Sequence, residues 1–368
     1  MKIAFVLPSI TLNGGVRVVA IYADRLKKRG HEVTVIAPPL NPPLRRKVKS
    51  LILGRGWPRK RFETSYFDGT GVAPKVLERY RPVTESDLGE TDVVVATYYD
   101  TAHWVNRFSA ARGAKAIFIQ NYEVEDGKTN SMLDASWRMP MHKITISKWL
   151  VDLARETFGD ATVSFVPNSV DLKQFNAAAR GKQSVPTVGF VYSQNWLKGC
   201  STSLAAIKWL KAKLPNLRVI SFGAEHPSFI KLRLPAYVEF HFRPPQDKLK
   251  DLYASCDVWM CGSNREGFHL PPLEAMACRC PVVSTRCGGP LDTIEEGVNG
   301  HLVEIGDWRA LAARTLNVLN LEPNEWRKMS DAAYHTAVRY TWDDATGLFE
   351  KALDLAIKRK STGELIRV

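Results

Sequence analysis

Two glutamates, Glu266 and Glu274, are separated by seven residues just after the apolar run Asp257-Val-Trp-Met-Cys-Gly, which is typical of a buried strand. Pro271 and Pro272 suit the first turn of a helix, because proline has no N–H to leave unpaired there. A helix that begins at the end of a strand offers backbone N–H groups to a phosphate. The glutamates can accept hydrogen bonds from hydroxyls. The stretch therefore predicts a nucleotide-sugar site, with simple helix capping by Glu274 as the alternative.

A second candidate region lies near the start of the chain. Gly14 and Gly15 follow the first predicted strand, where glycine lets a ligand approach the backbone closely. A simple tight turn before a helix that begins at Val16 is the alternative. Arg17 could face phosphates or lie on the exposed side of that helix.

The elements that must position these residues alternate between strands and helices. Strands are predicted at 2–7, 31–37, 92–97, 116–120, 143–147, 187–192, 218–223, 238–242, 257–260 and 281–284. Helices are predicted at 16–29, 147–158, 200–213, 246–255, 271–279 and 290–296, and from Asp307, Pro323 and Asp343. This alternation predicts an α/β protein with two doubly wound parallel sheets.

A polar stretch rich in Ala, Gly, Lys and Ser interrupts the alternation, so the linker between the two sheets is placed at 171–186. The predicted domains are residues 1–170 and 187–342, with 343–368 as a final helical segment. A chain of 368 residues is long enough for two such domains.

Composition indicates a soluble, cytoplasmic globular protein. Hydrophobic residues make up 45% and charged residues 24% of the chain, and no apolar run reaches the ~20 residues that a membrane helix needs. Six cysteines without a Cys-x-x-Cys pair favour reduced thiols over disulfides or a metal site.

The net charge of +13 depends partly on the segment Arg45–Arg61, where eight cations interleave with aliphatic and aromatic residues. Such a segment favours an anionic membrane surface, and hence peripheral association with the inner face of the membrane. A solvated loop is the alternative. Nucleic acid is not expected as a partner, because no recognised binding motif accompanies the cations.

The segment from Asn264 to Cys278 resembles the E-x7-E motif of retaining glycosyltransferases of the GT-B architecture, in family 4. The stretches Pro281-Val-Val-Ser-Thr-Arg-Cys-Gly-Gly-Pro and Glu296-Gly-Val-Asn-Gly-His-Leu-Val are similar to the same family. The resemblance implies two Rossmann-like domains facing a central cleft, the first for the acceptor and the second for the donor. It also implies that the last helix packs back on the first domain.

By this resemblance the enzyme is a hexosyltransferase that moves a sugar from a nucleoside diphosphate to a hydroxyl. Glu266 and Lys198 are the implied catalytic residues. The implied donor-binding residues are Gly14, Gly15, Arg17, Ser193, Arg243, Gly267, Phe268, His269, Leu270 and Glu274. Among these, Glu274 should bind the ribose, and His269 could contact a phosphate or pack at the rim. The chain departs from the family in lacking the arginine that usually precedes Lys198, where Ser193 and its neighbours stand instead.

The implied acceptor-binding residues are His103, Gln120, Asn121 and Tyr122. For His103, an ordinary position on a helix surface is the alternative. The run Ile-Gln-Asn-Tyr-Glu, which begins at Ile119, looks like a subgroup of bacterial cell-surface rhamnosyltransferases. This favours dTDP-rhamnose as donor over GDP-mannose or a UDP-hexose, and a polysaccharide or lipid-linked glycan as acceptor.

No Asp-x-Asp occurs in the sequence, so neither a metal nor another cofactor is expected, and the nucleotide sugar is a substrate. Two alternatives remain open. One is a sugar-nucleotide epimerase or a phosphorylase on the same fold. The other is a non-catalytic nucleotide-binding protein at a membrane surface.

Overall fold

The computed structural model describes residues 1–40, 65–122, 130–227 and 232–365. The predicted membrane-contacting segment, Arg45–Arg61, lies outside the described residues. Among the helices that the structure describes, none combines the length and the apolar character that crossing a membrane requires.

The described residues form thirteen strands and ten α-helices. The strands are β1 Lys2–Val6, β2 Glu32–Ala37, β3 Lys75–Val76, β4 Val93–Ala96, β5 Ala114–Ile119, β6 His142–Thr145, β7 Ser164–Phe165, β8 Thr187–Val191, β9 Arg218–Gly223, β10 Val238–Phe242, β11 Val258–Cys261, β12 Val282–Thr285 and β13 Gly300–Val303. The helices are α1 Gly14–Lys28, α2 Tyr99–Asn106, α3 Ser131–Arg138, α4 Lys148–Glu156, α5 Cys200–Lys213, α6 Leu249–Ala254, α7 Leu270–Ala277, α8 Trp308–Asn320, α9 Pro323–Val338 and α10 Trp342–Ser361.

The chain divides into two compact units. The first comprises Met1–Ile146, Leu150–Val166 and Thr346–Val368, and the second comprises Ser147–Trp149 and Pro167–Ala345. Residues 171–186, where the linker is predicted, belong to the second unit. There Lys182 Nζ donates hydrogen bonds to the carbonyls of Leu319 at 2.7 Å and Leu321 at 2.8 Å. These bonds connect residues 171–186 to the C-terminal end of α8.

The first unit is built on a parallel sheet of seven strands in the order β3-β2-β1-β4-β5-β6-β7. Its central strands are continuous apolar runs because helices cover both faces. In its core Phe349 of α10 stacks on Tyr22 of α1, with ring centroids 4.4 Å apart, and contacts Phe118 of β5 edge-on at 5.2 Å. Aromatic packing thus holds the last helix in this unit.

The second unit is built on a parallel sheet of six strands in the order β10-β9-β8-β11-β12-β13. Both sheets have the doubly wound order in which the first and fourth strands are neighbours. The predicted α/β class with two Rossmann-like sheets is confirmed.

The predicted helix at 290–296 is wrong. Only a 3-10 turn, Gly289–Asp292, forms there. The side chain of Asn299 explains the difference, because its oxygen accepts from Glu295 N at 2.9 Å and its amide donates to Thr293 O at 3.0 Å. A side chain that takes these backbone groups competes with the helical hydrogen bonds. The strand β13 that follows was not predicted.

The start of α1 also differs from the prediction. Gly14 and Gly15 do not form a turn before the helix; they are its first two residues. The side chain of Asn13 caps the helix by accepting from Val16 N at 2.8 Å. An asparagine cap satisfies a donor that the first turn leaves free, so the helix begins two residues earlier than the apolar periodicity indicates.

Candidate active site

The candidate site lies at the carboxyl edge of the second sheet, where β8 and β11 are neighbours. The chain leaves β8 towards β9 on one side and leaves β11 towards β12 on the other. Doubly wound sheets bind ligands in the crevice that opens at such a reversal of strand order. Lys198 lies in the loop after β8 and Glu266 lies in the loop after β11.

The structure brings Lys198 and Glu266 into contact. Lys198 Nζ lies 3.0 Å from Glu266 Oε1 and 2.8 Å from Oε2. Ser263 Oγ donates to Oε1 at 2.8 Å. The glutamate side chain is 7% exposed, whereas the lysine side chain is 41% exposed. The lysine therefore presents part of its charge to solvent while the carboxylate remains fixed below it.

Two glycines allow this approach. Gly199 has φ +50°, and a Cβ at this position would lie 1.8 Å from the carbonyl oxygen of Gly262. A Cβ on Gly262 would in turn lie 2.6 Å from Ser203 Oγ. The neighbouring turn is held by Asn264, whose N–H donates to Leu197 O at 2.9 Å. The loop after β8 thus rests directly on the end of β11, which places Lys198 over Glu266.

Burial and charge act in opposite directions on this pair. Burial raises the pKa of Glu266, but the charge of Lys198 and the hydrogen bonds from Lys198 and Ser263 hold it below its ordinary value. Burial lowers the pKa of Lys198, and the charge and hydrogen bonds of Glu266 outweigh that effect and raise it. Both groups are therefore charged at neutral pH. Lys198 is a cation fixed next to an anion, suited to sharing its charge with a phosphate.

The loop from Gly267 to Leu270 leads into α7. Its four backbone N–H groups donate no hydrogen bond to any other residue that the structure describes. The proline pair that follows contributes no donor, so three of the free amides belong to the loop before α7 and the fourth is that of Leu270, the first residue of α7. This refines the expectation that the first turn of α7 supplies them. Four unpaired donors near a lysine make an anion-binding surface.

The shape of this loop depends on Gly288 and Gly289 after β12. A Cβ on Gly289 would lie 1.9 Å from Phe268 O, and one on Gly288 would lie 2.3 Å from Glu266 O. Glu266 N donates to Cys287 O at 2.7 Å. Only a backbone without side chains at 288 and 289 lets the loop lie so close to β12.

The side chain of His269 is buried and does not lie at a rim. It caps α7 with a left-handed backbone, φ 69° and ψ 76°. Its Nε2 lies 3.4 Å from Glu266 Oε1, and its side chain is 5% exposed. Burial lowers the pKa of His269 to about 4, so the ring is neutral at neutral pH.

Glu274 lies inside α7 and is buried. Its Oε2 accepts a hydrogen bond from the hydroxyl of Tyr253 at 2.9 Å. Burial and the charge of Glu274 raise the pKa of Tyr253 well above its ordinary value, so the hydroxyl stays protonated and donates. The capping alternative for Glu274 finds no support, because the residue lies beyond the first turn and contacts a side chain.

Arg243 and Ser193 lie at the same sheet edge. Arg243 follows β10 with φ 46°, donates from Nε to Ala224 O at 3.0 Å, and lies over the half-exposed ring of Phe242. Ser193 follows β8, and its Oγ accepts from Asn195 N at 3.2 Å. No cation of the described residues replaces the missing arginine in an ion pair with Glu266.

The remaining predicted residues belong to the first unit. Gln120 follows β5 and donates to Gly15 O at 3.2 Å. A Cβ on Gly15 would lie 3.3 Å from that amide nitrogen, whereas one on Gly14 would meet nothing within 4 Å. Arg17 lies in the first turns of α1, half-buried.

His103, Asn121 and Tyr122 have local partners. His103 Nε2 bonds to Met132 O at 2.8 Å, and Asn121 Oδ1 accepts from Tyr122 N at 2.9 Å. Tyr122 donates its hydroxyl to Asp134 at 2.6 Å. These contacts anchor the side chains in the first unit; acceptor binding by them stays a prediction.

Ser263 and Tyr253 contact the candidate site but were not predicted. Ser263 stands two residues beyond β11, so its place at a strand end could have marked it. Tyr253 lies in α6, and no local pattern connects it to Glu274. No group of three His, Cys, Asp or Glu within the described ranges is placed to hold a metal ion. All six cysteines are free and buried.

Two family models match consecutive parts of the chain. The family described as glycosyl transferases group 1 matches residues 173–336, and glycosyltransferase family 4 matches residues 12–174. The chain belongs to the family 4 glycosyltransferases. The fold is accordingly the GT-B fold, and the candidate site lies within the part that the group 1 model matches.

Similar proteins agree with this membership. The chain is 27% identical over 251 residues to a D-inositol 3-phosphate glycosyltransferase of Thermobispora bispora, covering 62% of this chain and 58% of that protein. It is 38% identical over 106 residues to the Streptomyces bingchenggensis protein of the same name, covering 28% and 23%. The matches thus span less than two thirds of these curated relatives.

Solved structures share the fold. A sucrose-phosphate synthase from Thermosynechococcus elongatus aligns with a TM-score of 0.76 at 16% identity, covering 97% of this chain and 100% of that one. Anabaena HepE, solved in complex with UDP-glucose, aligns with a TM-score of 0.71 at 16% identity, covering 96% and 99%. At this identity the likeness concerns the fold alone.

Proposed function

We propose that this family 4 glycosyltransferase moves a sugar from a nucleoside diphosphate sugar to an acceptor hydroxyl with retention of configuration at the anomeric carbon. The observation that carries the proposal is the Lys198–Glu266 pair at 2.8 Å beside four unpaired loop amides. A cation and fixed amides suit a diphosphate, and a buried carboxylate suits the hydroxyls of a sugar. The same edge of the sheet offers both.

The diphosphate lies against the amides of Gly267 to Leu270 in this proposal, with Lys198 Nζ turned towards its oxygens. Glu266 keeps Lys198 in place before the donor arrives and then accepts from a sugar hydroxyl. Glu274, which lies one helical turn or more further along α7, accepts from the ribose. Arg243 and the exposed ring of Phe242 are placed at the sheet edge for the base.

In the transfer step the bond between the anomeric carbon and the phosphate oxygen breaks, and a bond from the acceptor oxygen to the same carbon forms on the same face. The acceptor proton passes to the departing phosphate oxygen, so the two products are the glycoside and the nucleoside diphosphate. Lys198 and the loop amides stabilise the negative charge that grows on that oxygen. No covalent nucleophile is required.

The donor is a nucleoside diphosphate hexose. Anabaena HepE was solved with UDP-glucose, and the resemblance to rhamnosyltransferases favours dTDP-rhamnose. The acceptor proposed is a polysaccharide or a lipid-linked glycan, and the basic segment Arg45–Arg61 would bring the enzyme to an anionic membrane surface. Sedimentation with anionic but not zwitterionic vesicles, lost at high salt, is the expected result.

Thermal unfolding with a panel of donors tests the proposal. With dTDP-rhamnose, GDP-mannose and UDP-glucose, one donor at ~100 times its Kd should add about 2.7 kcal/mol of stability. That donor, incubated with acceptor glycans, should give a product whose anomeric proton coupling shows the configuration of the donor. Inversion at the anomeric carbon contradicts the retaining mechanism, and conversion of the donor without an acceptor supports an epimerase instead.

A further inference from the structure

His269 is an unusual residue at the centre of the candidate site. Its left-handed backbone, φ 69°, favours glycine, and a branched or bulky side chain there stores strain. The ring is nevertheless buried against Glu266, with 5% of the side chain exposed. A strained backbone at a ligand-binding loop suggests that the imidazole has a task that glycine would not perform.

The contacts of the ring define its tautomer. Nε2 faces Glu266 Oε1 at 3.4 Å, and an ionised carboxylate can only accept. The proton of the neutral ring therefore belongs on Nε2. Nδ1 is then a bare nitrogen that can only accept a hydrogen bond, and it is buried without a partner among the described residues.

We propose that Nδ1 of His269 accepts a hydrogen bond from a hydroxyl of the donor sugar and thereby selects sugars that carry this hydroxyl. The inference rests on the proposed function, because it assumes that a nucleotide sugar occupies the site. It assigns His269 to the sugar and not to the phosphates.

The hydrogen-bonding chemistry of the sugar and of the phosphates shows which of them suits Nδ1. Phosphate oxygens are acceptors, so a bare nitrogen repels them, whereas a hydroxyl supplies the donor that Nδ1 lacks. Protonation would make Nδ1 a donor, but burial lowers the pKa of the ring to about 4, well below neutral pH. Glu266 and Lys198 are the charged groups that face the ring. Burial, helped by the charge of Lys198, lowers the pKa of the ring, and together they outweigh Glu266, whose charge raises it.

A buried acceptor that stays unpaired discriminates strongly against the wrong ligand. A site built to hydrogen-bond a hydroxyl rejects the analogue without it, because the protein group remains desolvated and unsatisfied. We expect kcat/KM to fall roughly 10- to 100-fold for the deoxy donor that lacks the selected hydroxyl. The other deoxy donors should lose less.

Nitrogen NMR of the histidine rings tests the tautomer and the ligand contact. In the free enzyme His269 Nδ1 should show the shift of a bare nitrogen with no titration between pH 5 and 8. Adding dTDP-rhamnose, GDP-mannose or UDP-glucose, whichever binds, should move this shift, whereas dTDP, GDP or UDP alone should not. A shift produced equally by the free diphosphate overturns the proposal in favour of a phosphate contact.

His142 is the internal control. It is also buried, and burial lowers its pKa to about 4. Its Nδ1 already accepts from Arg359 Nη1 at 3.0 Å, and its Nε2 bonds to Ser164 Oγ at 2.8 Å. Its nitrogen shifts should therefore resemble those of a neutral ring and stay unchanged when a nucleotide sugar binds.

Kinetics with His269→Gly provide the second test. Glycine accepts the left-handed backbone, so the variant removes the ring without adding strain. With the intact donor kcat/KM should fall 10- to 100-fold, and the deoxy donor that is poor for the wild type should show no further loss. If each deoxy donor lowers kcat/KM by the same factor in the wild type and in His269→Gly, then His269 does not bind a sugar hydroxyl.

The two failures are distinguishable. If no nucleotide sugar binds, the proposed function fails. If donors bind and react while wild type and variant discriminate alike, only the role of His269 fails. Should His269→Gly not fold, the nitrogen shifts and the deoxy donors still test the wild-type enzyme.

Discussion

The two sheets have the same doubly wound order, yet the crevices at their strand reversals differ in chemistry. In the second unit the crevice holds Lys198 in contact with the buried Glu266. In the first unit two neutral side chains near the reversal bond to backbone carbonyls: Thr97 Oγ1 donates to Val6 O at 2.9 Å, and Gln120 donates to Gly15 O at 3.2 Å. The same scaffold therefore holds an ion pair with a buried carboxylate at one edge and hydrogen bonds from neutral side chains at the other.

The difference agrees with the expectation that the first domain binds the acceptor and the second binds the donor. A leaving diphosphate needs positive charge and free donors, which Lys198 and the loop from Gly267 supply at the edge of the second sheet. An acceptor hydroxyl needs shape and neutral hydrogen-bonding groups, for which the edge with Gln120 is adequate. Because the two sheets have the same strand order, the difference between their edges comes from the loops that follow the strands.

The largest expected effect comes from removing the charged pair. Lys198→Ala and Glu266→Gln should each lower kcat at least ~100-fold, because preorganised charge next to the leaving group is lost. Gln120→Ala, the counterpart at the neutral edge, should lower kcat about 10-fold or less. Steady-state rates with saturating donor measure this. Equal losses for Lys198→Ala and Gln120→Ala would remove the contrast between the two crevices.

A side chain added to a glycine should also cost more stability at the edge of the second sheet than at the edge of the first. Gly199→Ala places a Cβ 1.8 Å from Gly262 O at φ +50°, and should lower the free energy of unfolding by roughly 2–4 kcal/mol. A Cβ on Gly14, the first residue of α1, would have no neighbour within 4 Å. Gly14→Ala should therefore raise the free energy of unfolding by about 0.5–1 kcal/mol. Urea denaturation compares them. If Gly14→Ala nevertheless abolishes activity, a ligand touches the backbone at Gly14.

The pH dependence of stability should contain a contribution from each unit. Burial lowers the pKa of both His269 and His142 from 6.5 to about 4. As pH falls from 6.5 to 4, the unfolded chain gains a proton at each site that the folded chain does not, so stability decreases by up to about 3 kcal/mol per histidine.

Denaturation of His269→Gly and of His142→Asn between pH 4.5 and 7 measures these contributions. Each variant should lose part of the pH slope, and the remaining slope should be similar in the two. A variant of His269 that keeps the full wild-type slope would mean that the ring is protonated in the folded enzyme.

The smallest effect concerns one tyrosine hydroxyl in each unit. Tyr253→Phe removes the bond to Glu274 and should cost about 1–2 kcal/mol of stability while raising the donor KM several-fold, because Glu274 is proposed to hold the ribose. Tyr122→Phe removes the bond to Asp134 at a similar cost in stability and should leave the donor KM unchanged. A donor KM that responds equally to both variants would argue against ribose binding by Glu274.

Particular elements show what the sequence could predict. Buried parallel strands such as Val93–Ala96 and Val258–Cys261 are continuous apolar runs, so their positions were clear. The helix at 290–296 was wrong because Asn299, several residues away, takes the backbone groups that a helix would use. The start of α1 was misplaced because a capping side chain outweighs the weak helix propensity of glycine.

The sequence by itself determined the fold class and the segments that meet at each sheet edge, because periodicity and turn residues are local properties of the chain. It also marked Glu266 and Lys198 through resemblance to a family. Only the tertiary structure decided that Lys198 and Glu266 touch across 68 residues, that Ser263 supports them, and that His269 keeps an unpaired nitrogen in the site. Such contacts depend on two loops meeting at a strand reversal, and no local pattern encodes that distance.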